Sequence, residues 1–203
     1  NTLNLSAAAE VRGETILLRE IVSDMEALPR DWQHREVMAS PEPGKTRTYS
    51  ITTIASALQR YPDMQGVVLR GNLNTVVRRM DTTLDPAIVT QAVRKYIDTL
   101  ERWGNEKIQV TFEPLNPIRQ LPAGKTSIAV RAYDEVQDSA NMERFDVDVM
   151  VDGVPARALE VKAKILPFKT VWVATRPMDQ GTVLSPSDLE PHEIPLDAGQ
   201  TAY

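Results

Sequence analysis

Residues 171–189 read VWVATRPMDQGTVLSPSDL and form the most strongly patterned stretch of the chain. The pattern predicts a strand at 171–176, which ends at a corner at Pro177. A turn at 180–181, a short strand at 182–184 and a capped helical turn at 185–188 are predicted to follow. Ser185 is placed to cap the helical turn, and Asp188 can reach back as its capping partner. The stretch contains no histidine, no metal-ligand pair and no evident nucleophile. The stretch is therefore well specified in structure, although it contains no residue set that would carry out a reaction.

The composition excludes several classes of protein. The chain has 203 residues, a net charge of −5 and no cysteine. A net acidic charge argues against nucleic-acid binding, because phosphate contacts need a basic excess, and the Arg78-Arg79 pair is too short to reverse this. Without cysteine there is no disulfide, thiolate metal site or cysteine nucleophile. No run approaches the ~18 apolar residues of a membrane span.

The first 82 residues predict one small α+β unit. Residues 14–22, ETILLREIV, are apolar and β-branched and predict a strand. A proline- and glycine-containing loop follows, and then a helix capped by Ser50 with apolar residues at helical spacing to Leu58. The runs at 67–70 and 75–80, separated by Gly71-Asn72, predict a hairpin.

The middle of the chain predicts a helix followed by antiparallel strands. Asp85 caps this helix and Pro86 occupies its first position, while Gly104 is expected to end it. Its predicted buried stripe consists of Ile88, Val89, Ala92, Val93, Tyr96, Ile97 and Leu100.

The period then changes to two, which predicts strands at 108–112 and 127–133 and a hairpin around Asp152-Gly153, a type I′ turn signal. Before the turn, Phe145, Val147, Val149 and Val151 form the expected buried face. After the turn, the alternating apolar positions shift by one residue near Ala158-Leu159, which predicts a one-residue bulge.

Tests for catalytic and ligand sites give none. Gly-Lys-Thr occurs at 44–46 and 124–126, but neither copy has the preceding glycine of a phosphate loop, so both are interpreted as turns. His34 and His192 lie in polar surroundings and are expected at the surface. Asp146 and Asp148 resemble a carboxylate pair, but the wet face of a strand explains them as solvated ion-pair partners. The expectation is a protein that is not an enzyme, with no cofactor and no metal.

The opening stretch resembles an SAF domain, a β-clip module. The SAF signature is a run of the type V-x-V-A-x-R-x-I-x-x-G-x-x-I-x-x-x-D-L, and it is matched by Val171, Val173, Ala174, Arg176, Met178, Gly181, Leu184, Asp188 and Leu189. Methionine replaces the usual isoleucine or leucine at 178 with little change of volume.

The whole chain is similar to the FlgA family of flagellar basal body P-ring formation proteins. The similarity is carried by ILLREIV, the 28–58 block, VVLRGNLNTVVRR and the 115–122 stretch, and it is strongest at 168–190. It implies an α+β, mostly β fold with domains at 1–82, 83–166 and 167–203. The last domain is expected to be an incomplete β-clip, because family members continue further.

The resemblance also implies a function. FlgA-like proteins are periplasmic assembly chaperones, so the expected partner is a P-ring protein of the FlgI type, with the signal peptide removed, no nucleic acid and no membrane span. A monomer is one option for the oligomeric state. The expected protein-binding residues are Val171, Val173, Arg176, Gly181, Leu184, Asp188 and Leu189, with capture of a client strand at a sheet edge as a mechanism.

Two alternatives keep the SAF module. One is a pilus-assembly protein of the CpaB type, which would normally carry an N-terminal membrane anchor and less α+β material before the module. The other is an SAF appendage of a carbohydrate-handling enzyme, whose catalysis would need a separate large domain. The proline-glycine loop and helix at 41–61 favour the FlgA family.

Overall fold

The computed structural model of the protein describes residues 1–26, 28–101, 107–133 and 141–195. The described helices are α1 (Leu18–Ile21), α2 (Arg30–Gln33), α3 (Ile51–Leu58) and α4 (Pro86–Asp98), with 3-10 turns at Pro62–Met64 and Pro186–Asp188. The strands are β1 (Thr2–Leu5), β2 (Ala8–Val11), β3 (Thr15–Leu17), β4 (Glu36–Ala39), β5 (Thr46–Ser50), β6 (Val68–Gly71), β7 (Asn74–Arg79), β8 (Asp81–Leu84), β9 (Ile108–Phe112), β10 (Ile118–Pro122), β11 (Thr126–Ala132), β12 (Met142–Val151), β13 (Val154–Ala174) and β14 (Leu189–Pro195). The predicted α+β, mostly β fold class is confirmed.

The chain divides into two compact units. Unit 1 comprises Asn1–Leu84, Pro117–Ser127 and Val151–Ala156, and unit 2 comprises Asp85–Asn116, Ile128–Met150 and Arg157–Tyr203. The chain therefore alternates between the units several times. The sequence-based division at 1–82, 83–166 and 167–203 stays a prediction.

Unit 1 is built from small sheets around one apolar core. Strand β7 lies between β2, which is parallel to it, and β5, which is antiparallel. Strands β1 and β6 form a second, parallel pair, β3 pairs with β4, and β10 pairs with β8. Helix α3 begins as predicted, because Ser50 Oγ accepts the amide of Thr53 at 3.1 Å. Its Ile54 and Leu58 are buried in the core.

Two predictions for unit 1 are wrong. The 14–22 strand stops after Leu17, where the chain turns into α1. The 67–80 segment is not a hairpin, because β6 pairs with β1 and β7 pairs with β2 and β5. The cause lies in the connecting segment: both the backbone amide and the side-chain amide of Asn72 donate to the Leu5 carbonyl, at 3.4 and 3.0 Å. These bonds tie the connection to the end of β1.

Unit 2 packs α4 with an antiparallel sheet of order β11-β12-β13-β14, in which β9 also pairs with β13. Asp85 caps α4 as predicted, since its Oδ1 accepts the Ala87 amide at 2.8 Å. Tyr96 meets the Phe145 ring edge-on, with centroids 6.1 Å apart. The buried line of α4 is narrower than predicted, because Ile88 is half exposed. The predicted helix end at Gly104 lies outside the described residues.

The β12–β13 hairpin follows the sequence closely. Asp152 and Gly153 have φ of 49° and 81°, the two positive values that a type I′ turn requires. Along β12 the predicted apolar face is buried and alternates with charged residues. Pairing outward from the turn would place Ile165 opposite residue 140, but its amide donates to the carbonyl of Asn141, at 2.8 Å. Strand β13 thus contains one extra residue, which confirms the predicted offset.

Candidate functional site

The candidate surface is the C-terminal part of unit 2. We call 168–174 of β13 together with β14 the ribbon, and the connecting residues 175–188 the corner. Ribbon pairing is regular and antiparallel, from Phe168 opposite Pro195 to Ala174 opposite Leu189. The predicted 171–176 strand is therefore the end of the 21-residue β13. The short strand predicted at 182–184 is wrong: these residues are irregular, and Thr182 instead closes a turn onto the Asp179 carbonyl through its amide and hydroxyl.

A single carboxylate organises the corner. Oδ2 of Asp188 accepts the Ser185 amide at 3.0 Å and the Ser185 hydroxyl at 2.8 Å. Oδ1 accepts Nε and Nη2 of Arg176, at 3.1 and 2.9 Å. The backbone closes the same junction, because the Thr175 amide donates to the Asp188 carbonyl at 2.9 Å. The predicted reach of Asp188 back to Ser185 is confirmed, and Arg176 is an additional partner.

These contacts fix the charge of Asp188. Hydrogen bonds from the Ser185 hydroxyl and amide, and then from Arg176, hold the pKa of the Asp188 carboxyl below its ordinary value, against an opposing effect of burial. Asp188 is buried, whereas the Arg176 side chain is 62% exposed. The corner is thus held by a polar junction.

Apolar side chains of the ribbon and corner face solvent. Of the eleven exposed large hydrophobic residues in the described part of the chain, five lie within 172–194. They are Trp172, Val173, Val183, Leu184 and Ile194, with Val183 90% and Trp172 65% exposed. Because successive strand residues point to opposite faces, Val173 and Ile194 lie on one face of the ribbon and Trp172 lies on the other. Apolar exposure at this density in one short segment is typical of an interaction region.

The edge of β14 that faces away from β13 has few backbone N–H donors. Because the Thr175 amide donates to Asp188, alternation directs the amides of 190, 192 and 194 toward β13 and those of 189, 191, 193 and 195 outward. Two of these outward positions are Pro191 and Pro195, which have no N–H. Proline at an edge strand blocks the addition of a further strand.

The seven sequence-predicted residues have different positions. Arg176 and Asp188 meet in the polar junction, and Gly181 lies in the turn with a φ of +91°. Val173 and Leu184 are exposed, while Val171 and Leu189 are partly buried on the two ribbon strands. Sequence analysis missed Trp172, Val183 and Ile194, and only their apolar character could have indicated them.

The two histidines lie at the surface as predicted, whereas Asp148 has a different ion-pair partner from the Arg157, Lys162 and Lys164 expected across the hairpin. His34 is exposed beside Arg19, and His192 is exposed beside Glu190. Asp148 forms an ion pair with Arg131 on β11, at 2.7 Å. In unit 1, Lys125 of the second Gly-Lys-Thr donates its amide to Asp152 at 2.9 Å, as a turn would.

Unit 1 also has an open polar cleft of about 720 Å³. It is lined by Arg12, Gly13, Asp81, Thr82, Ala123, Gly124, Lys125 and Asp152. Among the described residues, no three acidic or histidine side chains are grouped to hold a metal ion. No helix in the described ranges has the length and apolar character to cross a membrane.

Comparisons with known proteins give two matches. No family model matches the chain. A porphobilinogen deaminase from Albidiferax ferrireducens is 31% identical over 101 residues, which are 49% of this chain and 30% of that protein. The crystal structure of flagellar protein FlgA from Thermotoga maritima matches 96% of this chain and 64% of its own, with 13% identity and a TM-score of 0.30. The chain therefore spans less than two thirds of either protein. The FlgA structure belongs to the family that the sequence resembles, but the TM-score of 0.30 is too low to support that resemblance.

Proposed function

We propose that the protein is a periplasmic assembly chaperone of the flagellum that binds P-ring subunits and has no catalytic activity of its own. The resemblance of residues 168–190 to the SAF signature supports the family, and the apolar exposure of the ribbon and corner supports the binding role. The observation that carries the proposal is the set of five exposed apolar residues on a segment whose shape is held by the Arg176–Asp188 junction.

The mode of binding follows from the edge of β14. Outward-facing prolines at 191 and 195 leave only two outward amides on this strand, so it is a poor template for a client strand. Strand β12 lies between β11 and β13 and has no open edge. Binding through apolar side chains, with Trp172 as the largest, therefore suits the β14 side of the ribbon better than strand addition.

A matched pair of double variants tests the proposal. Val183→Ser with Leu184→Ser removes two exposed apolar side chains from the corner, and Val154→Ser with Leu73→Ser makes the same changes at exposed positions elsewhere. We expect the corner variant to weaken binding to purified P-ring protein by about 10- to 30-fold, the loss for two partly buried side chains. The control should bind like the unaltered chain. Isothermal titration calorimetry gives both affinities.

Two outcomes of this experiment would contradict the proposal or part of it. If the unaltered chain forms no complex with P-ring protein, the function is wrong. If a complex forms but both double variants bind equally, the function stands and the assignment of the surface is wrong.

A further inference from the structure

Arg79, the last residue of β7, is a largely buried cation that forms no ion pair in the described part of the chain. The residue is 9% exposed, and its Nε makes no hydrogen bond. Within residues 1–26, 28–101, 107–133 and 141–195, no carboxylate forms an ion pair with its guanidinium. A buried N–H without a hydrogen-bond partner, on a cation without an ion-pair partner, is unusual, so Arg79 is a candidate to receive an anionic ligand.

The neighbours of Arg79 on β5 are also cations. In the β5–β7 register Arg47 lies opposite Val77, and continuing it by two residues places Lys45 opposite Arg79. Lys45 and Arg79 are therefore on one face with their Cβ atoms about 5 Å apart, and Arg47 is on the diagonal at about 7 Å. Lys45 and Arg47 are exposed. On the other side of Arg79 the β2 neighbour is Val11, which is apolar.

A bulge sets this arrangement. The Gly44 amide donates to the Arg79 carbonyl at 2.9 Å, and the Arg79 amide donates to the Lys45 carbonyl at 3.0 Å. With a φ of +74° at Gly44, this is a G1 bulge, in which two residues oppose one. The bulge in the first Gly-Lys-Thr thus places Lys45 opposite Arg79. Bulges of this kind are frequent next to active sites.

Asp81, two residues after Arg79 in the chain, has a carboxylate that is already engaged. The Asp81 carboxylate lies against Gly44, where a Cβ would meet its Oδ2 at 2.9 Å. It is paired with Arg78, whose Nη2 is 3.4 Å from Asp81 Oδ1, and Arg78 lies on the opposite face of β7. Asp81 is thus paired with Arg78, and no ion pair joins it to Arg79.

We propose that Arg79, with Lys45 beside it, binds an oxyanion: a carboxylate or a phosphate group. Both ligands match the planar fork of a guanidinium through two parallel hydrogen bonds, and the second cation raises the affinity. The Arg47 guanidinium lies over the Tyr49 ring, 5.4 Å from its centroid, and adds only a more distant positive charge. This site lies in unit 1 and is independent of the function proposed for the ribbon and corner.

Nuclear magnetic resonance can test the site directly. Sodium phosphate and sodium acetate are titrated separately into the isotope-labelled chain, with sodium chloride at equal ionic strength as the reference, and the arginine Nε–H signals are followed. We expect the Arg79 signal to shift in a saturable way with one or both anions, which also identifies the preferred class. The Arg78 signal, on the opposite face of the same strand, is the internal control and should follow ionic strength alone.

A variant tests the contribution of the neighbouring cation. Lys45→Gln keeps the exposed position and the backbone bulge. It should weaken anion affinity about three- to tenfold, the effect of one solvent-exposed charge at ~6 Å for an effective dielectric constant of about 80 to 40. An Arg79 signal that responds to chloride as it does to both test anions overturns the proposal. So does an affinity that Lys45→Gln leaves unchanged.

Discussion

Helix α4 offers a test of how burial determines stability in unit 2. Ile97 is 1% exposed and Ile88 is 50% exposed, although both were expected on the same buried stripe. Truncating each to alanine makes the same chemical change in the same helix. The two variants therefore differ mainly in the apolar surface that they remove from the core.

The expected costs can be worked from these exposures. Ile97→Ala loses the full transfer free energy of the side chain and leaves a cavity, which together destabilise by about 3 kcal/mol. Ile88→Ala loses about half of the transfer term, roughly 1 kcal/mol. Both variants regain about 0.4 kcal/mol because alanine is the better helix former, which leaves net losses of about 2.6 and 0.6 kcal/mol. The predicted difference in the free energy of unfolding is about 2 kcal/mol.

Urea denaturation followed by far-ultraviolet circular dichroism measures both values. The m-values of the two variants should match that of the unaltered chain, so that midpoints report stability alone. Equal losses for the two variants, or a larger loss for Ile88→Ala, would show that the packing of α4 differs from that described.

Two further predictions concern polar contacts. Hydrogen bonds lower the pKa of Asp188 in the folded state, so the stability that they contribute is fully present above the ordinary unfolded pKa and is lost as the pH falls through the lower folded pKa. The carboxyl carbon chemical shift of Asp188, followed by nuclear magnetic resonance, should therefore titrate with a midpoint below the ordinary range. A midpoint at or above that range would contradict the junction. Ser50→Ala should lower the free energy of unfolding by about 1 kcal/mol, because α3 loses its cap. Ser56→Ala, at an exposed position inside the same helix, should raise it by a few tenths of a kcal/mol. Urea midpoints that move in the same direction for both variants would refute the capping role.

The sequence predicted best those features that depend on neighbouring residues. The caps Ser50 and Asp85, the Asp152-Gly153 turn and the reach of Asp188 to Ser185 are all confirmed. Each is set by a few residues whose backbone preferences and short-range hydrogen bonds are local. The alternation along β12 also belongs to this class, because its period is visible without knowing the partner strands.

Pairing between distant residues could not be predicted in this way. Strand β6 resembles half of a hairpin in sequence, but its partner β1 is more than sixty residues away, and parallel pairs carry no turn signal. The exposure of Ile88 and the burial of Arg79 depend likewise on which elements cover each face. For the candidate surface, the polar junction was partly foreseen, while Trp172 and Val183 occupy variable positions of the signature and gave no signal.

The polar junction at Asp188 has a consequence for how the surface can evolve. Arg176, Ser185 and Asp188 set the path of the backbone, and the side chains at 183 and 184 contribute little to holding it because they project into water. Those two positions can therefore accept new side chains without loss of shape. If the surface binds a partner as proposed, substitution at 183 and 184 would change its specificity, while a change at Arg176 or Asp188 would alter the scaffold itself.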